Sequence, residues 1–165
     1  MRTIFVLGAG LMQIPALRIA KERGWRVVAA DGSDKAVGIP WADEFVHVDL
    51  KDRSALEEAA RRIRESSGLD GVMTAGTDFS ASVAWVAERL GLPGIPFETA
   101  LNASDKSRMR AVFDSAGVPS PRFSVLSRSD PLGRLPDSLA FPLVVKPVDH
   151  MGARGCRLVG NETEL

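Results

Sequence analysis

The sequence has a single cysteine, Cys156, so no disulfide bond can form within the chain. A protein without disulfides fits a reducing compartment, and we expect a cytoplasmic location. The sequence also lacks any apolar run that approaches the roughly 20 residues needed to cross a bilayer, so we expect no membrane partner. The short apolar stretch at the N terminus is interrupted by Gly8 and Gly10, which favours a first strand over a signal peptide.

The sequence also has no excess of positive or negative charge. The sequence has 21 Lys and Arg residues against 21 Asp and Glu residues, and the basic ones are scattered. Nucleic-acid-binding proteins present clustered positive charge, so we expect no nucleic-acid partner. The 165 residues, of which 45% are hydrophobic, suffice for one domain with a core, or one domain and part of another.

Short apolar runs alternate with amphipathic patterns along the first 90 residues. The runs predict strands at residues 3–8, 26–31, 44–50 and 70–76. Helical spacing predicts helices at residues 11–24, 52–67 and 77–91. Asp52 or Ser54 is expected to cap the second helix, and Thr77 or Asp78 the third. This order predicts an α/β fold with a doubly wound parallel sheet.

A Gly- and Pro-rich stretch, "GLPGIPFE" (91–98), predicts a boundary between a domain at 1–93 and a second at 94–165. In the second, a helix is expected to restart at Ser104 or Asp105, and "FPLVVKP" and "GCRLVG" are expected to pair as a hairpin. Asn161 and Glu164 have the spacing of a capping box. A helix beginning there predicts that the chain is the N-terminal part of a longer protein; a frayed C terminus is the alternative.

Glycines stand where the first strand meets the first helix. Gly8 and Gly10 would let an anion approach a helix N terminus, and Asp31 ends the second strand, where a dinucleotide-binding acid would contact ribose. Gln13 replaces the third glycine of the dinucleotide motif, however. The two glycines therefore either form part of a dinucleotide site or serve only to make a tight turn.

A second loop, "TAGTD" (74–78), is expected at the same edge of the sheet. Gly76, Thr77 and Asp78 serve either to begin the next helix or to share a ligand crevice with the first turn. Neither His47 nor His150 has partners at metal-ligand spacing, so the sequence predicts no metal site.

Lys146 interrupts the apolar run "PLVVKP", and a loop with two glycines follows it. Either the strand has reached the surface, or the lysine and the loop backbone hold an anion. Lys106, taken alone, is an ordinary helix lysine. The loop is not a Walker A motif, because no G-x-x-x-x-G-K-[ST] pattern occurs.

Several motifs occur together in the order found in one family. They are "GAGLMQ", "AGTD", "DKSRMR", "GVPSP" and "PLVVKP" with its glycine loop. On these motifs the chain resembles the N-terminal portion of ATP-grasp ligases, in the carbamoyl-phosphate synthetase-like and purine-biosynthetic carboxylate–amine branches. The resemblance implies a Rossmann-like pre-ATP-grasp domain followed by an incomplete small α+β ATP-grasp subdomain.

The resemblance also implies site residues and chemistry. The implied ATP-binding residues are Lys106, Lys146, Met151, Gly152, Ala153, Arg154 and Gly155. The implied substrate-binding residues are Gly8, Gly10, Gln13, Asp31, Gly76, Thr77 and Asp78. ATP and Mg²⁺ would be the cofactors, with the Mg²⁺ ligands downstream of Leu165. Small-molecule carboxylate and amine (or thiol) substrates would react through an acyl phosphate.

Two consequences of the resemblance concern the chain itself. Without the metal ligands, the chain alone is expected to be inactive, and a homodimer is left open. The alternative function is a dinucleotide-binding or regulatory Rossmann-like module without ligase chemistry.

Overall fold

The computed structural model describes residues 1–127, 136, 138–150 and 152–165. The chain divides into two compact units, Met1–Ala100 and Leu101–Leu165. A four-stranded sheet lies in the first unit, and a two-stranded sheet lies in the second. The sequence-based domain boundary after residue 93 stays a prediction.

The first unit is a parallel sheet with helices. Its strands are β1 (Thr3–Leu7), β2 (Arg26–Asp31), β3 (Glu44–His47) and β4 (Gly71–Met73), in the order β3-β2-β1-β4. Its helices are α1 (Ile14–Glu22), α2 (Arg53–Ser67) and α3 (Ser80–Leu90). All three strand pairings are parallel, and β1 lies between β2 and β4. The predicted α/β fold is confirmed.

The core occupies both faces of the sheet. Phe5 and Leu7 of β1 pack with α2 and α3 on one face, and Val6 packs with Leu17 of α1 on the other. These four side chains are completely buried. Successive strand residues point to opposite faces, so a strand covered on both sides has no polar alternation.

Of the three helix starts in the first unit, one is as predicted and two differ in detail. Asp52 caps α2 through a hydrogen bond from Ala55 N–H to its carboxylate (3.0 Å), as predicted. The predicted cap of α3 by Thr77 or Asp78 is wrong, because α3 begins later and Phe79 is its N-cap residue, without a side-chain bond. Residues 11–13 form a 3₁₀ turn before α1 rather than its first α-helical turn.

The second unit carries the predicted hairpin. Helix α4 (Phe97–Ser104) spans the point of division, and α5 (Lys106–Ser115) follows it. Strands β5 (Leu143–Val145) and β6 (Arg157–Val159) pair antiparallel and do not join the parallel sheet.

Both predicted capping signals in this unit are found. Asp105 caps α5 by accepting hydrogen bonds from Ser107 and Arg108 N–H groups. Asn161 accepts a bond from Glu164 N–H, but the element that it begins is a 3₁₀ turn, Glu162–Glu164, and not an α-helix.

Asp43 ties α1 to the sheet and should make stability depend on pH. Its carboxylate accepts hydrogen bonds from the Lys21 ammonium and from Val27 N–H (2.8 Å). The Lys21 bond, then the Val27 bond, holds the pKa of Asp43 below its ordinary 3.8. Because the folded pKa is the lower one, this stabilisation is complete above pH 3.8 and is lost as the pH falls through the folded pKa.

We therefore expect Asp43→Asn to flatten the acid side of the stability-against-pH curve, measured by urea unfolding between neutral and strongly acidic pH. The exposed Asp34→Asn serves as the control and should leave that slope unchanged. Parallel acid slopes for wild type and Asp43→Asn would contradict this assignment.

No helix in the described part of the chain has the length and apolar character to cross a membrane.

Candidate functional site

A cleft of about 250 Å³ lies at the carboxyl edge of the parallel sheet. Its lining residues are Gly8, Gly10, Gln13, Asp31, Gly32, Asp49, Leu50, Thr77 and Phe79. They come from the segments that follow β1, β2, β3 and β4. The chain runs outward from β1 to β3 and then places β4 on the other side of β1. Open α/β sheets bind ligands at such a reversal of strand order.

The glycine turn after β1 has its N–H groups paired inside the protein. Gly8 N–H donates to Ala30 O (2.7 Å), and Ala9 N–H donates to the Asp31 carboxylate (2.8 Å). Gly10 N–H donates to Gln13 Oε1 (2.9 Å). A dinucleotide site needs such groups for the pyrophosphate. Here a carboxylate and an amide oxygen from the chain itself take that place.

We therefore expect NADH not to bind this cleft usefully. Exposing the two N–H groups to a phosphate would break two internal hydrogen bonds and bring the phosphate next to the Asp31 carboxylate. Titration calorimetry of the chain with NAD⁺ and NADH should show no saturable heat. A complex of micromolar affinity would overturn this expectation and favour the dinucleotide alternative.

Gln13 joins two loops of the cleft. Gln13 is buried, with only 3% of the residue exposed. Its Oε1 accepts from Gly10, and its Nε2 donates to Ala75 O in the loop after β4. A Cβ added at Gly8 would lie 3.1 Å from this side chain, and the φ of Gly8 is +106°. The positive φ therefore favours glycine at position 8, and an added Cβ would also press on the Gln13 side chain.

Sequence reasoning overlooked Gly38 as a residue that shapes the cleft. Its N–H donates to Ala9 O (2.7 Å), directly behind the glycine turn. A Cβ at this position would lie 2.6 Å from the same oxygen. The only signal in the sequence is a turn-rich "GIPW", which indicates a turn but not a close approach of two backbones.

The loop after β4 is held by two threonines. The Thr74 hydroxyl donates to Leu7 O (2.6 Å) at the end of β1. The Thr74 and Thr77 oxygens lie 2.8 Å apart, and Thr77 must be the donor because the Thr74 proton is already used. Thr77 Oγ1 also accepts from Phe79 N–H (3.3 Å). Thr77 therefore holds the turn that precedes α3, and the helix itself begins at Ser80.

Two residues predicted at this site are not brought to the cleft. Gly76 is exposed, has a φ of +62°, and faces Met12. Neither Gly76 nor Asp78 is among the lining residues of the cleft. The other predicted substrate-binding residues do line it, and their role in binding substrate stays a prediction.

The second unit contains the lysine loop, which we define as residues 146–155. Lys146 directly follows β5 and is exposed. Gly152, Ala153 and Gly155 have φ values of +67°, +56° and +72°. Ala153 is the one described non-glycine residue with positive φ, and such backbone strain concentrates at functional sites. Met151, predicted at this site, lies outside the described residues.

Lys106 contacts the same loop. Its ammonium donates to His150 O and, at 3.4 Å, to Val148 O. Its backbone N–H also donates to Val148 O (2.9 Å). The structure thus brings Lys106, from the start of α5, to the segment that follows Lys146. Arg154 is exposed on the same loop.

Comparison with known proteins identifies the class of this α/β fold. Residues 17–94 match the family model of the ATP-grasp N-terminal domain. The alanine–anticapsin ligase of Bacillus subtilis is 28% identical over 151 residues, which cover 92% of this chain and 31% of the ligase. Residues 17–94 are therefore similar to ATP-grasp N-terminal domains, and the chain has relatives among the ATP-dependent ligases.

Solved structures show the same fold. The L-amino acid ligase of Bacillus licheniformis has a TM-score of 0.77 and 27% identity, over 99% of this chain and 39% of that one. The N5-carboxyaminoimidazole synthetase of Staphylococcus aureus, solved with ADP, has a TM-score of 0.77 at 20% identity, over 99% of this chain and 42% of that one. This chain therefore spans well under half the length of these proteins.

Proposed function

We propose that this chain forms the N-terminal part of an ATP-dependent ligase that joins a small carboxylate to an amine or thiol. The lysine loop binds the phosphates of ATP, and the cleft at the sheet edge binds a substrate. The family relationship supports ATP as the nucleotide, because ATP-grasp enzymes use ATP and Mg²⁺ in general. A cytoplasmic location and a homodimer stay predictions.

The observation that carries the proposal is the meeting of two lysines on one strained glycine loop. Lys146 begins the loop and is exposed, and the Lys106 ammonium lies within hydrogen-bond distance of two of the loop's carbonyl oxygens. A polyphosphate requires compact cations and backbone N–H groups that can wrap closely around it. The positive φ values at Gly152 and Gly155 suit such a wrap.

Lys106 also links ATP binding to a movement of the lysine loop in this proposal. In the structure its ammonium donates hydrogen bonds to the neutral carbonyl oxygens of Val148 and His150. A phosphate oxygen is a much stronger acceptor for an ammonium than a neutral carbonyl. ATP would therefore draw Lys106 away from the loop carbonyls, and the loop would rearrange as the nucleotide binds.

The proposed reaction has two steps. A carboxylate oxygen of the substrate attacks the γ-phosphorus of ATP, which releases ADP and forms an acyl phosphate. The amine then attacks the acyl carbon, phosphate leaves, and the amine loses a proton. The lysines hold the phosphates and compensate their negative charge during the first step, which is how proteins accelerate phosphoryl transfer.

The described residues do not fit a Mg²⁺ site. Within the described part of the chain, no group of three or more His, Cys, Asp or Glu side chains could hold a metal ion. We therefore assign no metal-dependent step to the residues of this chain.

A binding experiment tests the proposal. We expect ATP, titrated into the ¹⁵N-labelled chain, to shift the amide resonances of Gly152, Ala153 and Gly155 in a saturable way. In any active enzyme that contains this sequence, ATP, a carboxylate substrate and hydroxylamine should yield a hydroxamate and ADP, because hydroxylamine traps acyl phosphates. No shift in the loop, or ADP release without a trapped hydroxamate, would contradict the proposal.

A further inference from the structure

The lysine loop contains an aspartate and a histidine that are paired with each other and that the proposed function does not use. His150 Nδ1 lies 2.8 Å from Asp149 Oδ1. An ionised carboxylate can only accept a hydrogen bond, so Nδ1 carries the proton in this contact. The contact therefore fixes the tautomer of a neutral His150 ring, whose lone pair is then on Nε2.

The second ring nitrogen of His150 is available to a ligand. Within the described part of the chain, Nε2 makes no hydrogen bond or ion pair, and half of the side chain is exposed (50%). The carbonyl oxygen of the same residue accepts the hydrogen bond from the Lys106 ammonium. His150 therefore lies where α5 contacts the loop, beside a cation that the proposed function assigns to the phosphates of ATP.

The charged groups that accompany His150 belong to the loop and to the helix that contacts it. They are Lys146, Asp149 and Arg154 on the loop, and Asp105, Lys106 and Arg108 at the start of α5. The Asp105 carboxylate is already held by two backbone N–H groups of α5. Positive side chains are thus in the majority, and Asp149 is the one acidic group of the loop itself.

Protonation of His150 reverses what its Nε2 offers to a phosphate. In the neutral ring this nitrogen presents a lone pair, which repels the lone pairs of a phosphate oxygen. In the protonated ring the same nitrogen becomes an N–H donor, and the positive charge of the ring offsets the Asp149 carboxylate. Histidine is the side chain that ordinarily changes its charge between about pH 5 and 8, so this reversal takes place within a narrow range of pH.

We propose that His150 is a third cationic contact between the lysine loop and the phosphates of ATP, made only when its ring is protonated. ATP binding by the loop therefore strengthens as the pH falls. Asp149 acts as a positioning residue, because it holds Nδ1 and leaves Nε2 to the phosphate. The inference rests on the proposed function and adds a regulation of the same site. Neither residue is among the ATP-binding residues that the family resemblance implies.

The ring titrations of the two histidines in the chain test this contact directly. In the ¹⁵N-labelled chain, both rings are followed by NMR from about pH 5.5 to 8.5 without ligand, with saturating ATP and with adenosine. Because binding and protonation are linked, a fivefold preference of ATP for the protonated ring raises the midpoint of the His150 titration by about 0.7 pH unit.

Two controls accompany this measurement. Adenosine lacks phosphates and should leave the His150 midpoint unchanged. The midpoint of His47 should not move with either ligand, because this ring lies in the first unit, where its Nε2 is 3.0 Å from Gly32 O.

A variant measures the same contact through affinity. His150→Gln keeps an N–H donor of similar reach but does not titrate. The ratio of wild-type to variant ATP affinity should rise from about one at pH 8.5 to about fivefold at pH 5.5. Taking this ratio removes the protonation of ATP itself from the comparison. His47→Gln is the matched control and should follow the wild type at every pH.

The outcomes separate this inference from the proposed function. If ATP shifts the amides of Gly152 and Gly155 but the His150 midpoint stays where it is, or the affinity ratio stays constant, His150 and Asp149 form only a surface pair. The ligase proposal then stands without this inference. A loop that ignores ATP at every pH removes both. The midpoint measurement uses the wild-type chain, so it decides the question even if His150→Gln perturbs the loop.

Discussion

Replacing Lys146 with alanine should weaken ATP binding by about tenfold to a hundredfold, because a charge-assisted contact is worth about 1.5–3 kcal/mol. Lys146 is exposed at the end of β5, so its ammonium is available to a phosphate. The free energy of unfolding should change by less than about 0.5 kcal/mol, as expected for an exposed lysine. Titration calorimetry or NMR with ATP gives the affinity, and urea unfolding gives the stability.

The control for this variant is Lys35→Ala, which removes an exposed lysine from the first unit. It should leave ATP affinity unchanged at moderate ionic strength. Equal ATP affinities for wild type and Lys146→Ala would mean that the lysine in "VVKP" is only a surface residue. The lysine loop would then lose its proposed role.

Replacing Gly38 with alanine should destabilise the first unit by about 3 kcal/mol, at the upper end of what overpacking usually costs. The added Cβ would lie 2.6 Å from Ala9 O and 3.1 Å from a methyl group of Leu17. The φ and ψ of Gly38 are −85° and −11°, which alanine adopts freely. The whole effect is therefore steric. Relief requires movement of the turn that Gly10 and Gln13 complete, so the cleft should distort as well.

Urea unfolding followed by tryptophan fluorescence measures this loss. Gly32→Ala is the matched control, because the nearest atom to its added Cβ is 3.9 Å away. It should stay within about 0.5 kcal/mol of wild type. Coincident unfolding curves for Gly38→Ala and Gly32→Ala would show that the close approach at Ala9 is not a constraint.

The order and type of the main elements could be predicted because they depend on local pattern. Uninterrupted apolar runs such as "TIFVL" indicate strands covered on both faces, and this holds for β1 in the structure. Asp52 and Asp105 were recognisable as caps because a carboxylate before a helical pattern can reach the first free N–H groups. Thr77 was misassigned because α3 begins at Ser80, later than the pattern indicates, so that the Thr77 oxygen accepts from Phe79 N–H in the turn before the helix.

The location of the candidate site residues could be predicted from the sequence, but the hydrogen bonds that they make could not. Parallel strands bring their carboxyl ends to one edge, so Gly8, Asp31 and Thr77 were expected together and do line one cleft. Their hydrogen bonds depend on side-chain placement within a few tenths of an ångström. For that reason the sequence left a dinucleotide site open, whereas the structure pairs the Ala9 and Gly10 N–H groups internally.

The sequence by itself therefore determined the parallel α/β fold, the hairpin and the edge at which a ligand cleft would form, because hydrophobic period and capping chemistry act over a few neighbouring residues. Only the tertiary structure decided the character of the sites. Gly38 against Ala9, Gln13 between two loops, and Lys106 on the loop after Lys146 are contacts between residues far apart in sequence. No local pattern encodes such contacts, because they arise from the packing of whole elements against one another.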